Sequence, residues 1–145
     1  MKKLFIVFIS TLCALTLQAE ARELKNISIQ DALTSNDAKL NLPDDIKFYF
    51  GDATPEGTVT KNISQYTFDR EINASLKSQI TACHSALIVA LKDLREAAKK
   101  EGANAVVNIK SNAKGKAVNS KEIYACDSGV LKSGVSISGD LVIIE

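Results

Sequence analysis

The sequence predicts an α+β domain of two layers, in which one main helix packs on a small, mostly antiparallel sheet. Two observations lead to this class. One long stretch, from about Ser78 to Lys100, has apolar residues at helical spacing. Short alternating or apolar stretches lie before and after it, bounded by Gly, Asn and Ser, and these are typical of strands. A single helix between two groups of strands favours a sheet that is covered on one face.

The segments before the helix predict three short strands, a helical turn and a loop. Leu24–Leu33 is interpreted as a short strand that runs into a helical turn. In Ile46–Phe50 the apolar side chains alternate, which indicates a half-buried strand. Ala53–Asn62 is predicted to be a loop, and Ile63–Ile72 a further strand with its two aromatic residues on one face.

The main helix is predicted from apolar residues that recur every three or four positions and so share one face. They are Cys83, Leu87, Ala90, Leu91, Leu94, Ala97 and Ala98. On the other side Lys92 and Glu96 are four residues apart with opposite charge. Ser78 or Thr81 can cap the first turn, and the basic pair Lys99–Lys100 suits the negative end of the helix dipole.

The stretch KKEGANAVVNIK is predicted to be a structural joint between this helix and the next strand. Gly102 follows the last helical turn, where the chain commonly needs a left-handed residue. Hydrogen bonding within the joint is favoured for Asn104 over contact with a ligand. The following strand is predicted to bury Ala105, Val107 and Ile109 on one face. We expect Gly102→Val to cost more stability than Asn104→Ala.

Three further elements are predicted after that strand. Ser111–Ser120 is polar and hairpin-like, and Lys121–Asp127 is a strand with its Tyr and its Cys on the same face. Ser128–Gly134 is a turn rich in Gly and Ser, and Val135–Glu145 is the last strand. Together with the segments before the helix, these elements complete the predicted sheet.

The first 21 residues are predicted to be a signal peptide, cleaved to leave one periplasmic domain of residues 22–145. Lys2–Lys3, the apolar run Leu4–Leu17 and the small-residue site Ala19–Ala21 follow the order of a secretory signal. The apolar run is too short to cross a bilayer comfortably, so no membrane span is expected after cleavage. A short signal of this kind is typical of bacteria, which makes the periplasm the expected location.

Charge argues against a nucleic-acid partner. The chain has 18 basic and 17 acidic residues, and the predicted signal peptide holds Lys2, Lys3 and Glu20, so the mature chain has equal numbers of each. A neutral domain has no global electrostatic reason to bind nucleic acid. The oligomeric state stays open, because free sheet edges can pair and form a homo-oligomer.

Two cysteines, Cys83 and Cys126, remain after cleavage and are predicted to form a disulfide in an oxidising compartment. The bridge would close a loop of about 43 residues and contribute about 4 kcal/mol by the chain-entropy model. The alternative is a metal or thiol site formed by Cys83, His84 and Cys126. It is less favoured, because oxidation removes the thiolates that a metal needs and the spacing contains no C-x-x-C.

No catalytic constellation emerges from the sequence, and no cofactor is indicated. Gly129–Ser136 has the glycine spacing of a P-loop, but Val135 stands where the phosphate-binding Lys belongs, and a strand is predicted to follow. Cys83 and His84 are adjacent on a helix and point about 100° apart, so they cannot act as nucleophile and base. The loop carboxylates, among them Asp44, Asp45, Asp69 and Glu71, are interpreted as solvated surface. The protein is therefore expected not to be an enzyme, and in particular not an ATPase.

Two runs carry a family resemblance: ALIVALKDLREAAKKEGANAVVNI and EIYACDSGVLKSGVSISGDLVII. They resemble small exported bacterial proteins labelled as excinuclease ATPase subunits. More distantly, they are similar to the YbjQ-like family, sometimes called heavy-metal-binding, and to the periplasmic domain of the Rcs envelope-stress lipoprotein sensor. The resemblance implies a helix packed on a small sheet. Cys83 and Cys126 would match two of the sensor's four cysteines, and its other two and its lipidated cysteine are absent here.

These observations lead to an expected function. The chain is expected to be a non-enzymatic, disulfide-stabilised periplasmic domain that binds another envelope protein or acts in envelope homeostasis. The rival expectation is a periplasmic protein that handles metal or thiols through Cys83, His84 and Cys126. The two differ in the state of the cysteines, which are bonded to each other in the first and free in the second.

Overall fold

The computed structural model describes residues 21–145, so the predicted signal peptide lies outside the described residues except for its last position. Seven strands and three helices follow one another along the chain. They are β1 (Glu23–Ser28), α1 (Ile29–Thr34), α2 (Asn36–Asn41), β2 (Lys47–Phe50), β3 (Val59–Asn73), α3 (Gln79–Glu101), β4 (Ala105–Ala113), β5 (Lys116–Val118), β6 (Ile123–Ser128) and β7 (Lys132–Ile144). The predicted α+β class, with one main helix on a mostly antiparallel sheet, is confirmed.

The sheet is organised around β7. One edge of β7 pairs antiparallel with β3 over nearly its whole length, and the other edge is shared by β6 and β4. Beyond these strands, β1 pairs with β6, β5 forms a hairpin with β4, and β2 pairs with β4. The β2–β4 pair is parallel, and the other pairs are antiparallel.

Helix α3 covers one face of this sheet, and both of its ends are capped as the sequence predicts. Ser78 is the N-cap, and its hydroxyl accepts a hydrogen bond from the Thr81 amide at 3.1 Å. Gly102 ends the helix in the left-handed region, with φ of 75°, and its amide donates to the carbonyls of Ala98 and Lys99. The apolar face of α3 is fully buried against the sheet, which forms the main core. Its largest members are Leu87, Ile88, Leu91, Leu94, Val106, Ile109, Tyr124, Ile137 and Leu141.

The loop predicted over Ala53–Asn62 is wrong in its second half, because β3 already begins at Val59. Thr58 and Glu145 exchange backbone hydrogen bonds of 2.8 and 3.0 Å, and Val59 then pairs with Ile144. The strand starts this early because the end of β7 supplies a partner for its backbone groups. That partner is distant in sequence, so the local pattern could not indicate it.

The predicted burial pattern of β4 is also wrong. Ala105 and Val107 do face one side, but Ile109 lies on the opposite side with Val106, against α3. The strand contains a bulge at Asn108, whose φ is 52°, and the register with β7 shifts between Val107 and Lys110. An extra residue in one strand reverses the direction of the side chains that follow it.

Gly139 of β7 makes room for this bulge. A Cβ placed on it would lie 2.5 Å from Val106 Cγ1 and 3.2 Å from Ile109 Cγ1. Both branched side chains therefore fill the space over Gly139, on the side of the sheet that α3 covers. The glycine is required here by close packing of side chains rather than by backbone conformation.

Candidate functional site

The two cysteines are bonded to each other. Cys83 lies in the second turn of α3 and Cys126 on β6, with their Cα atoms 5.9 Å apart and both residues fully buried. Cys126 and Tyr124 face the helix together, as predicted. The bridge ties the beginning of α3 to the sheet, so the domain is disulfide-stabilised. With both sulfur atoms in the bridge, neither is a thiolate that could bind a metal.

His84 follows Cys83 on α3 and is half-buried. Its Nε2 atom is enclosed and has no hydrogen-bond partner among the described residues. Burial lowers the pKa of His84, and the nearby negative charge of Asp31 partly opposes this. Within residues 21–145 there is no group of three His, Cys, Asp or Glu side chains arranged to hold a metal ion.

The joint at Gly102 and Asn104 is built by backbone and amide hydrogen bonds. The Asn104 side chain forms a pair of them with the last residue of β7: its Nδ2 donates to Ile144 O at 2.8 Å, and its Oδ1 accepts from Ile144 N at 2.8 Å. The main chain adds a bond from Asn104 N to Val142 O of 3.1 Å. Asn104 therefore holds the end of β7 against the beginning of β4. The sequence predicted hydrogen bonding within the joint, whereas the side chain bonds to Ile144 on a distant strand.

The turn predicted over Ser128–Gly134 is confirmed only in its middle, because Ser128 belongs to β6 and β7 already begins at Lys132. Residues 129–131 connect β6 to β7, and the residues that follow are in a strand. A phosphate-binding loop places its glycines before the N-terminus of a helix, where backbone amides converge. The stretch therefore has the structure of a hairpin connection.

Three of the four carboxylates that the sequence assigned to solvated surface form ion pairs. Asp45 pairs with Arg95 at 2.5 Å, and the pKa of Asp45 is lowered mainly by this bond. Asp44 pairs with Lys47 at 2.6 Å. These pairs lie at the surface, where single ion pairs contribute little to stability.

Glu71, the third of these carboxylates, belongs to a charged cleft of about 310 Å³ formed by β3, β4, β6 and β7. Arg22 donates to Glu71 at 2.6 Å and pairs with Asp127 at 3.1 Å, and Lys114 pairs with Asp127 at 3.0 Å. The Arg22 guanidinium, together with Lys132, lowers the pKa of Glu71. Ion pairs link Arg22, Glu71, Lys114 and Asp127, and this network holds Arg22, where the mature chain is expected to begin, against the sheet.

Among the described strands, β1, β2 and β3 each have an outer edge without a partner strand, and β3 is the longest of them. In the described part of the chain, β3 pairs only with β7, so its other edge has no strand beside it. Two irregularities of register occur before Ser64, and from Ser64 to Asn73 the pairing with β7 is regular. An edge of this length leaves alternate backbone N–H and C=O groups open to another chain. The strand contains no proline, which is a common protection of such edges.

A groove of about 290 Å³ runs between this edge and α3. Tyr66 and Phe68 lie on its β3 side with their rings stacked at 5.9 Å, and Ala97 lies on its helix side. The guanidinium of Arg70 lies over the Phe68 ring, 5.3 Å from its centre, and forms an ion pair with Asp93 of α3. The groove therefore has an apolar floor and fixed charges at its rim.

The far end of the groove is held by a hydrogen-bonded carboxylate. Tyr66 donates its hydroxyl proton to Glu101, and Ser64 donates to the other carboxylate oxygen at 2.7 Å. Both bonds lower the pKa of Glu101, and the bond from Tyr66 has the larger effect. The bond between Tyr66 and Glu101 also raises the pKa of Tyr66. Sequence reasoning placed the two aromatic residues on one face of a strand but did not recognise a groove, since the second wall comes from a helix.

Comparison with known proteins assigns this chain to no family. No protein-family model matches the chain, and neither a curated protein nor a solved structure shows significant similarity to it. In the described residues, no helix has the length and apolar character needed to cross a membrane.

Proposed function

We propose that this chain is a non-enzymatic periplasmic domain, and that it binds an extended segment of another envelope protein along the outer edge of β3. The observation that carries the proposal is the regular, unpaired edge from Ser64 to Asn73 beside an apolar groove. Addition of a strand to a free sheet edge is a common mode of peptide recognition: the main chain provides affinity, and pockets for alternate side chains provide specificity.

The groove indicates what such a segment would carry. An added strand would direct every second side chain towards α3, over Phe68 and Ala97. Apolar residues at those positions fit the floor of the groove, while Glu96 and Lys100 at its rim can pair with polar residues. The preferred partner is therefore a strand-forming segment with alternating apolar residues.

Further support comes from the state of the cysteines and from the sequence. The bridge between Cys83 and Cys126 fits an oxidising compartment, and the predicted signal peptide and the resemblance to the Rcs-type sensor domain point to the same location. These arguments favour a binding role in envelope homeostasis.

Affinity capture from an envelope extract tests the proposal, with the protein purified from the periplasm as bait. Ala97→Glu places a charge in the groove at a helix position that tolerates Glu. Lys92→Glu is the matched control, because Lys92 is exposed elsewhere on α3. We expect wild type and Lys92→Glu to recover the same envelope protein and Ala97→Glu to lose it. Equal recovery by all three, or no recovery above Ala97→Glu, would reject the β3 edge as the binding site.

Mass spectrometry of the same periplasmic protein separates the binding function from metal or thiol handling. Our proposal expects a protein that is lighter than its reduced form by two hydrogen atoms. Two free thiols together with a stoichiometric metal ion would instead favour metal or thiol handling by Cys83, His84 and Cys126.

A further inference from the structure

Exposed apolar side chains are concentrated at one end of the molecule. Six large apolar residues are exposed in the described chain, and four of them lie in the β3–α3 connection, the first turn of α3 and the β6–β7 turn. The four are Leu76, Ile80, Val130 and Leu131, with relative exposures of 99, 55, 64 and 56%. We refer to these four residues as the apolar tip.

Backbone contacts bring the two connections of the apolar tip together. The Ala74 amide donates to the Leu131 carbonyl at 2.7 Å, and Asn73 pairs with Lys132 where β3 and β7 meet. The Ser78 cap fixes the beginning of α3, which carries Ile80, just after this contact. The tip is therefore one surface built by two ordered turns, although its residues are about 50 positions apart in sequence.

Two lysines lie at the apolar tip, and Glu71, the carboxylate that pairs with one of them, lies just outside it. Residues 73–81 and 128–133 contain two lysines, Lys77 and Lys132, and no carboxylate. The Lys77 ammonium donates to the uncharged Ser85 hydroxyl at 3.2 Å. Lys132 pairs with Glu71 at 3.0 Å, and its side chain remains 62% exposed. Lysines of this kind can direct their ammonium groups to a polar boundary while their stems follow apolar surface.

From this combination we propose that the apolar tip docks reversibly on the surface of an anionic phospholipid bilayer. Leu76, at 99% exposure, projects from the surface instead of lining a groove, so it suits a soft apolar layer better than a shaped protein pocket. Insertion of a few apolar side chains beside lysines that meet anionic headgroups is the physical basis of peripheral membrane binding. The tip and the β3 groove are separate surfaces, so this proposal stands or falls independently of the proposed function.

Vesicle flotation tests the docking, with protein that the producing cell has exported and processed. The vesicles are phosphatidylcholine with or without phosphatidylglycerol. The test variant is Leu76→Ser/Val130→Ser, and the matched control is Leu40→Ser. Leu40 is 84% exposed and lies on α2. Asp45, which follows α2, pairs with Arg95 and Lys99 in the C-terminal half of α3, whereas the tip lies at the beginning of that helix. All proteins share the same N-terminus, and their thermal melts are compared to confirm equal folding.

We expect wild type and Leu40→Ser to bind phosphatidylglycerol vesicles equally. The double variant should bind at least about tenfold more weakly, because it loses two apolar side chains from the inserted surface. Lys77→Gln should weaken binding to anionic vesicles and leave binding to neutral ones unchanged. Equal binding by wild type and the double variant would overturn the proposal, as would a wild type that ignores the anionic lipid. Self-association that is abolished by the double variant, without vesicle binding, would assign the tip to a second copy of the chain instead.

Discussion

Reduction of the bridge between Cys83 and Cys126 should remove a large part of the stability of this domain. The bridge closes a loop of 43 residues, and the chain-entropy model gives about 4 kcal/mol for a loop of that size. Single domains have a total free energy of unfolding of about 5–15 kcal/mol. For a chain of this length, the loss corresponds to a fall of about 10–20 °C in the melting temperature.

Urea unfolding followed by circular dichroism measures this loss in the wild-type protein, with and without a phosphine reductant. Reduction leaves the sequence and the core volume nearly unchanged, so the comparison isolates the cross-link. The slope of the free energy against urea should also rise on reduction, because an uncrosslinked chain exposes more surface when it unfolds.

The double variant Cys83→Ala/Cys126→Ala is the control. It should be insensitive to the reductant and as unstable as the reduced wild type or slightly more so, since two buried sulfur atoms are lost from the core. If the reduced wild type stays within about 1 kcal/mol of the oxidised protein, loop closure is not what the bridge contributes, and the reasoning is refuted.

Three further predictions concern single residues. Gly102→Val should lower the free energy of unfolding by about 1–3 kcal/mol, because a branched residue is strained at φ of 75°. Asn104→Ala should lower it by about 1–2 kcal/mol, because it removes two solvent-exposed hydrogen bonds to Ile144. Thermal melts in which Asn104→Ala is clearly the more destabilising change would contradict this order. Gly139→Ala should cost about 1–3 kcal/mol by overpacking, since its Cβ would lie 2.5 Å from a core side chain, and a urea midpoint that does not fall would count against it. Burial lowers the pKa of His84 below 6.5, so the folded state binds a proton less readily than the unfolded chain. The stability contributed by the neutral histidine is therefore fully present above pH 6.5 and is lost as the pH falls through the folded pKa. His84→Gln should therefore lose less melting temperature than wild type between pH 7.5 and 5.5, and equal losses would show that another group is responsible.

Most of the fold could be predicted from local sequence. The length of α3, its cap at Ser78 and its end at Gly102 depend on side-chain spacing and on residue types that suit particular backbone positions, and both are visible in a short window. The strands before and after α3 were predicted by the same kind of information. Their alternation fails in β4, where a bulge at Asn108 places Val106 and Ile109 on the same side, over Gly139 of another strand.

The candidate sites were less predictable, because each is formed by segments that are distant in sequence. The two rings of the β3 groove have the correct parity in the sequence, but the opposite wall is Ala97 of α3. The tip joins Leu76 to Val130 through a backbone contact between two connections. Asn104 has a polar side chain suited to a turn, yet its partner is Ile144, at the end of the last strand.

The sequence alone determined the class of fold, the position of the main helix and the two cysteines that pair, because these depend on periodicity, caps and the count of residue types. The tertiary structure decided that the outer edge of β3 is left unpaired, since that depends on β7 using one edge for β3 and sharing the other between β4 and β6. It also decided which exposed apolar side chains meet at one end. These features depend on which residues are close in space, and the order of residues along the chain does not contain that information.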